Sequence, residues 1–323
     1  MKLGSPAAIL ALVVSWPVSS GTALAQNYPT KPIRIIATTA PGAGPDIMSR
    51  LIGQKLTEAW GQQVVVDNRA GASGIIGAEI ASRSAPDGYT LMMATSLHAI
   101  VATMYARLNY DLVRDFTPVS LLASTPFLLV VNPSVAATSV NELIALAKMK
   151  PGELRYGSGG SGSPPHLCAE IFKTMTGINL VHVPYKSIVP AITDVMTGQV
   201  HATFAVIPAV IPMVRSGRVR ALGVSSIKRT PLVPDLPTIA ESVPGYEYIG
   251  WYGLVVPAGT PREIVSKLNA EVVKALQTPE LKEKISGLGA EPLGTPPQEF
   301  AAFMGRELQK LAKAVKDSGA RVE

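Results

Sequence analysis

The sequence predicts an α/β protein of two lobes, each a largely parallel sheet flanked by helices. Three observations point there. An apolar, β-branched run, a Gly/Ser/Pro-rich loop and a helix pattern follow one another repeatedly. The same succession recurs in the second half of the chain. The 323 residues, less an expected 25-residue export signal, leave about 298, enough for two lobes of ordinary size.

Residues 1–25 are read as that signal. Lys2 supplies a positive start, "AAILALVVSWPVS" an apolar core too short to span a bilayer, and Ala23-Leu24-Ala25 the small-x-small pattern that places cleavage after Ala25. A transmembrane anchor is the competing possibility, and Pro17 and the short apolar run count against it. "KPIRIIATT" then reads as a strand, followed by a helix from about Asp46 to Trp60. Ile47, Leu51, Ile52, Leu56, Ala59 and Trp60 form its apolar face, Asp46 is placed to cap it and Gly61 to end it. "QQVVVDN" leads through "RAGASG" to a helix over Ile75–Arg83. "PDGYTLMMATS" is a turn and strand ending in a loop with Ser96 and His98, and "FLLVVNP" a further buried strand.

In the second half, "LRYGSGGSGSPP" precedes a helix carrying Leu167, Ile171, Phe172 and Met175 on one face. "LVHVPYKS" precedes another over about Pro190–Thr197, stopped by Gly198, and "QVHATFAVI" and "VRALGVSS" read as strands. The C-terminal stretch is helical, with capping boxes expected at Thr260–Glu263 and Thr295–Gln298.

Four loops, around residues 41–46, 71–74, 157–163 and 185–190, would present helix N-termini at the carboxyl ends of strands, where open sheets bind ligands. Unpaired N–H groups and the positive end of the helix dipole favour an anion there. Gly42 and Gly44 allow the backbone to approach a ligand closely. Four ordinary capped turns are the plainer alternative for any one loop; four together favour a site. The formal charge of +6 mildly favours anionic ligands, while no basic cluster points to nucleic acid. The single cysteine, Cys168, lies in an apolar helix pattern and reads as a core residue.

Catalytic and cofactor motifs fail in turn. Gly42-x-Gly44 mimics a dinucleotide fingerprint, but Ile47 occupies the third glycine position. "GSGGSGS" lacks the lysine of a phosphate loop. No G-x-S-x-G elbow occurs, which leaves a secreted hydrolase with a triad from distant residues as the alternative. His98, His166, His182 and His201 show no metal-ligand spacing. No cofactor or metal is expected. His98 and His166 border candidate loops, and Lys186 is either a solvated charge or an anion contact.

"APGAGPD", "VVVDNRAGASGIIGAE", "APDGYTL", "YDLVRDFTPVSLLAS", "GSGGSGSPPHL", "VHVPYKS" and "VVPAGTP" occur in an order that resembles the Bug-type receptors, the extracytoplasmic solute-binding proteins of tripartite tricarboxylate transporters. The resemblance implies a two-lobed periplasmic binding protein of type II-like fold, a non-catalytic monomer that takes a small organic carboxylate to a membrane permease. A sensor signalling through a membrane partner is a further alternative. Lobe I would comprise residues 26–125 and 249–323, and lobe II residues 126–248. The resemblance carries the ligand cleft onto Pro41, Gly42, Ala43, Gly44 and Asp46; Ser96 and His98; Ser158, Gly159, Gly160, Ser161, Ser163 and His166; and Tyr185, Lys186 and Ser187. Two departures make the cleft less polar than the family pattern. Ser187-Ile188 stand where two glycines are common, and Ala205-Val206 where a polar residue follows the phenylalanine of a strand. A carboxylate with an aromatic or aliphatic body is the expected ligand.

Overall fold

The structure is a computed structural model that describes residues 28–105 and 107–318. The expected signal peptide and its cleavage site lie outside the described residues. Strand and helix alternate: β1 (Ile33–Ala37) with α1 (Gly44–Trp60) and β2 (Val64–Asn68) with α2 (Ile75–Ser82), as the patterns predict, and β3 (Thr90–Thr95) with α3 (Ser96–Met104), a helix where the sequence reads as a loop. A long strand β4 (Phe116–Val131) and α4 (Val140–Met149) lead to the second set. There β5 (Arg155–Ser158) precedes α5 (Pro164–Thr176), β6 (Val181–Pro184) precedes α6 (Ile188–Thr197), and β7 (Ala202–Val206) precedes α7 (Ile207–Arg215) and β8 (Arg220–Val224). The chain returns through β9 (Ile249–Pro257) to α8 (Arg262–Leu276), α9 (Pro279–Gly287), β10 (Glu291–Pro292) and α10 (Pro297–Ser318).

Two sheets result, and they share a design. The first runs β2-β1-β3-β9-β4, with β1, β2 and β3 parallel and β9 antiparallel to both its neighbours. In the second, β6, β5 and β7 are parallel and β4 is antiparallel to β7 and β8. Each sheet thus carries a reversed strand delivered by a crossing from the other half, and the short β10 adds a second to the first sheet by pairing antiparallel with β4. β4 belongs to both: residues 116–126 pair with β9 and residues 127–131 with β7 and β8. The change falls at Pro126-Phe127, where the proline has no N–H for a ladder.

Burial follows from this layering. Ile35, Leu91, Met93 and Leu254 pack against Met48, Ile52 and Leu56 of α1 and Leu268 and Val272 of α8. Leu128, Val130 and Ala205 pack against Ile192, Val195 and Val210 in the second lobe. The C-terminal helix α10 bridges the halves, lying on α3, β4 and α5. Its Phe300 is fully buried beside Trp251, with ring centroids 5.7 Å apart.

Three caps differ from expectation. The N-cap of α1 is Ala43, not Asp46; the proline and glycine before Asp46 take helical geometry, so the helix begins two residues early. Pro261 is the N-cap of α8, and the Thr260 hydroxyl turns back to donate to Pro257 O at 2.7 Å. Thr295 precedes a helix that begins only at Pro297, and its hydroxyl accepts the Leu121 N–H at 3.2 Å instead.

Candidate functional site

Strands of both sheets end facing one another, and a cavity of about 360 Å³ lies between them. That is within the range of small-molecule sites. Five helices direct their first residues at it: Pro45 of α1, Ser96 and Leu97 of α3, Pro164 and Pro165 of α5, Ile188 of α6, and the α7 N-cap Val206. First-turn N–H groups have no partner four residues back, so each helix end is a source of donors and of positive dipole. The prolines modulate this. Pro164 and Pro165 have no N–H, so the first turn of α5 offers the cavity fewer donors than α3 or α6.

Each lobe contributes uncharged polar residues to the cavity. Thr39, Thr95, Ser96 and Tyr252 stand on the first-lobe side, and Gly159, Ser163 and Ser187 on the other. The Thr39 and Ser163 hydroxyls are buried and have no hydrogen-bond partner within the protein. Phe127, Ile188, Ala205, Val206 and Trp251 supply the larger apolar part of the wall. Among the described residues, no Asp, Glu, Lys, Arg or His lines it. An anion bound here would meet hydroxyls, N–H groups and helix dipoles instead of a counter-charge. Among the described residues, no group of His, Cys, Asp and Glu side chains is arranged to hold a metal ion.

A second cavity, about 290 Å³, opens on the outside between α5 and α10. Its charged residues are already paired, Lys310 with Glu247 and Glu307, and Lys313 with Asp317. Helix N-termini do not point into it, and it lacks the means to hold an anion.

Of the residues singled out from sequence, Ser96, Gly159, Ser163, Ser187, Ile188 and Ala205 are brought together on the cavity wall. The others are not on its wall. Pro41, Gly42 and Ala43 lie on the loop before α1, and Gly44 backs onto Tyr252, so that Pro45 and Thr39 face the cavity instead. Asp46 is buried and its carboxylate is occupied. It accepts from Gly42 N–H at 2.8 Å, Asn68 Nδ2 at 2.9 Å and Arg50 Nε at 3.1 Å. Burial would raise its pKa, but these hydrogen bonds outweigh burial and hold the carboxyl below its ordinary range. His98 is completely buried; its Nδ1 accepts the Thr95 N–H at 3.0 Å, closing a capping box on α3, and burial pushes the imidazole down to about 4. Ser158, Gly160, Ser161 and His166 form or support the glycine loop without lining the cavity. The Tyr185 hydroxyl donates to Asp194 at 2.6 Å, and Lys186 is exposed to solvent.

Sequence reasoning missed Thr125, Phe127, Gly250, Trp251 and Tyr252, the floor supplied by β4 and β9. The signal was "GWYG": two glycines bracketing two aromatics suit a strand hard against other groups. A Cβ at Gly250 would lie 2.4 Å from Thr125 Oγ1, and one at Gly253 2.1 Å from Phe300 Cζ.

The comparisons agree with this geometry. The family model for the tripartite tricarboxylate transporter family receptor (TctC) matches residues 48–320. BugT of Bordetella pertussis is 36% identical over 313 residues, which is 96% of this chain and 94% of that protein. Among solved structures, R. palustris Rpa4515 with adipate is 40% identical, with a TM-score of 0.77 over 91% of this chain and 100% of its own. MatC from Rhodopseudomonas palustris, solved with bound malate, is 29% identical, with a TM-score of 0.73 over 89% of this chain and 100% of its own. These are solute-binding receptors, not enzymes, and they work in the periplasm. On this coverage the chain belongs to the tripartite tricarboxylate transporter receptors, as a Bug-type member.

Proposed function

We propose that the protein captures an organic dicarboxylate with an aliphatic or aromatic body in the cleft between its lobes and passes it to a tripartite-type membrane permease. The single observation that carries the ligand class is the wall of the cavity: uncharged polar residues from both lobes together with Phe127, Ile188, Ala205 and Val206. One carboxylate sits at the N-termini of α1 and α3, the other at Gly159, Ser163 and the N-terminus of α6, and the chain between them lies on the apolar residues. The solved relatives with adipate and malate support a carboxylate ligand. The lobes are residues 26–125 with 249–323, and residues 126–248, and the change of sheet at Pro126-Phe127 supports that division. The protein acts as a monomer. Among the described residues, its exposed large hydrophobics, including Val65, Ile76, Val113, Met149 and Val189, come from separate elements of the chain.

Calorimetry on the purified mature protein tests the assignment. Adipate or an aromatic dicarboxylate is expected to bind more tightly than aspartate, glutamate or citrate. Ile188→Gly should weaken adipate by about 1–2 kcal/mol, the scale of a partly buried aliphatic side chain. Tightest binding of aspartate or glutamate, or an unchanged affinity in the Ile188 variant, would contradict the apolar-body assignment.

A further inference from the structure

Beside the second-lobe residues lies a group of side chains, Tyr156 and His166 buried and His182 partly so, that the cleft itself does not use. His166 and His182 stack with ring centroids 4.2 Å apart, and Tyr156 stacks on His182 at 4.9 Å. Each imidazole holds a different part of loop 158–163. His166 Nδ1 accepts the Gly162 N–H at 3.1 Å. His182 Nε2 lies 2.7 Å from Ser158 Oγ, and that oxygen accepts the Gly160 N–H at 3.1 Å. Gly160 and Gly162 both have positive φ, +112° and +75°, a conformation with little intrinsic preference for one shape. The loop therefore owes its shape to what grips it. The Ser163 N–H is also spoken for, bonded to Gly160 O at 3.1 Å.

We propose that His166, braced by the stacked His182, is a positioning residue of the receptor: a neutral imidazole that fixes loop 158–163 so that Gly159 and the Ser163 hydroxyl face the ligand. This inference rests on the cleft assignment above. The chemistry of the acceptor is what makes it specific. An imidazole that accepts through Nδ1 carries its one proton on Nε2. A second proton can enter only at Nδ1, where it would meet the Gly162 N–H head-on and undo the bond. The surroundings oppose that second proton. The titratable and charged groups facing the two rings are Tyr156 on β5, and Glu170 and Lys173 on α5. Glu170 Oε1 is 4.0 Å from His166 Nε2, but it is already engaged by the Tyr156 hydroxyl at 2.5 Å and by Lys173 Nζ at 2.7 Å. Burial lowers the His166 pKa and outweighs the pull of Glu170, with Lys173 adding to the depression. Burial and the neighbouring His166 bring His182 down to about 4. Two imidazoles stacked this closely also cannot both be charged without like-charge repulsion.

The test compares His166→Asn, whose side-chain oxygen can replace Nδ1 as acceptor and takes up no proton, with His166→Leu, which offers no acceptor. Adipate is the probe, measured by calorimetry on the full mature chain. At pH 7.5 the asparagine variant is expected to bind within about threefold of wild type, and the leucine variant at least tenfold more weakly. On acidification, wild type should fall behind the asparagine variant over the same pH interval in which the His166 ring signals titrate by NMR; titration of adipate is common to both proteins and cancels in the ratio. Leucine binding as tightly as wild type, asparagine losing as much as leucine, or a ratio that stays flat through the ring titration would each overturn the proposal. Amide exchange of ligand-free protein separates this from the cleft assignment. Exchange at Gly162 should quicken at least tenfold in His166→Leu and stay near wild type in His166→Asn. If wild type binds no adipate, the cleft assignment fails while the exchange result still decides the role of His166.

Discussion

Replacing Phe300 by alanine is expected to cost about 3–5 kcal/mol of stability, the largest effect of any single side chain considered. The ring is completely buried, packs edge-on against Trp251, and fills the space that Gly253 leaves by lacking a side chain. The reverse change is also informative. A Cβ at Gly253 would stand 2.1 Å from Phe300 Cζ and 2.7 Å from Cε1, and a buried ring in a packed core has little room to yield. Gly253→Ala should therefore cost about 1–3 kcal/mol by overpacking. In the Phe300→Ala background the same change should be neutral or slightly stabilising, because the obstruction is gone and alanine suits a strand better than glycine. Urea unfolding of the two single variants and the double variant gives the coupling. Additive effects would mean that β9 and α10 do not meet in the way described. The contact matters for function because α10 lies on both lobes while β9 forms the floor of the cleft.

Most of the strand–loop–helix units were legible in the sequence because each is local: β1 through β3 and β5 through β7 announce themselves by β-branched runs and glycine or proline punctuation, whereas α3 and α7 follow their strands with no intervening loop and did not show as helices. The two crossing strands were not legible either. Only the second half of β4, "FLLVV", reads as a buried strand; the first half carries Pro118 and Pro126, and its ladder with β9 has irregularities at Pro118–Ser120 and Leu121–Ala123. Strand β9 contains two glycines that a propensity argument counts against it. Both are explained by partners far away in sequence, Thr125 for Gly250 and Phe300 for Gly253. Long-range packing overrides local preference there, and a single sequence does not display it.

The site divides in the same way. Residues at helix starts, such as Ser187 and Ile188, could be placed because strand ends and helix caps mark the ligand-facing edge of an α/β sheet, while Ser96 was reached only through the family resemblance. Which atom of a loop faces inward could not be placed. His166 borders the glycine loop in sequence, yet its ring turns beneath the loop and is occupied by Gly162. Asp46 is the one acidic residue of its loop, and its charge is spent on its own helix entry. Adjacency along the chain fixed the neighbourhood of both side chains but not their direction.

Gly44→Ala is expected to reduce adipate affinity by about 100-fold, about 2.7 kcal/mol, with little effect on folding. Gly44 opens α1, and an added Cβ would lie 2.4 Å from the Tyr252 hydroxyl and 3.3 Å from its Cζ. At the first turn of a helix, alanine is well tolerated by the backbone, so the collision is with the far end of one side chain. Tyr252 is half-buried and lines the cavity, so the hydroxyl has to swing into the space a carboxylate would occupy. Tyr252→Phe alone should lose at most about tenfold, the value of one hydrogen bond. Because it removes the colliding atom, the Gly44→Ala/Tyr252→Phe double variant should bind like Tyr252→Phe and not like Gly44→Ala. That non-additivity is the diagnostic result. If instead Gly44→Ala binds adipate normally, the N-terminus of α1 takes no part in holding the ligand, and the first-lobe carboxylate must rest on Ser96 and the start of α3 alone.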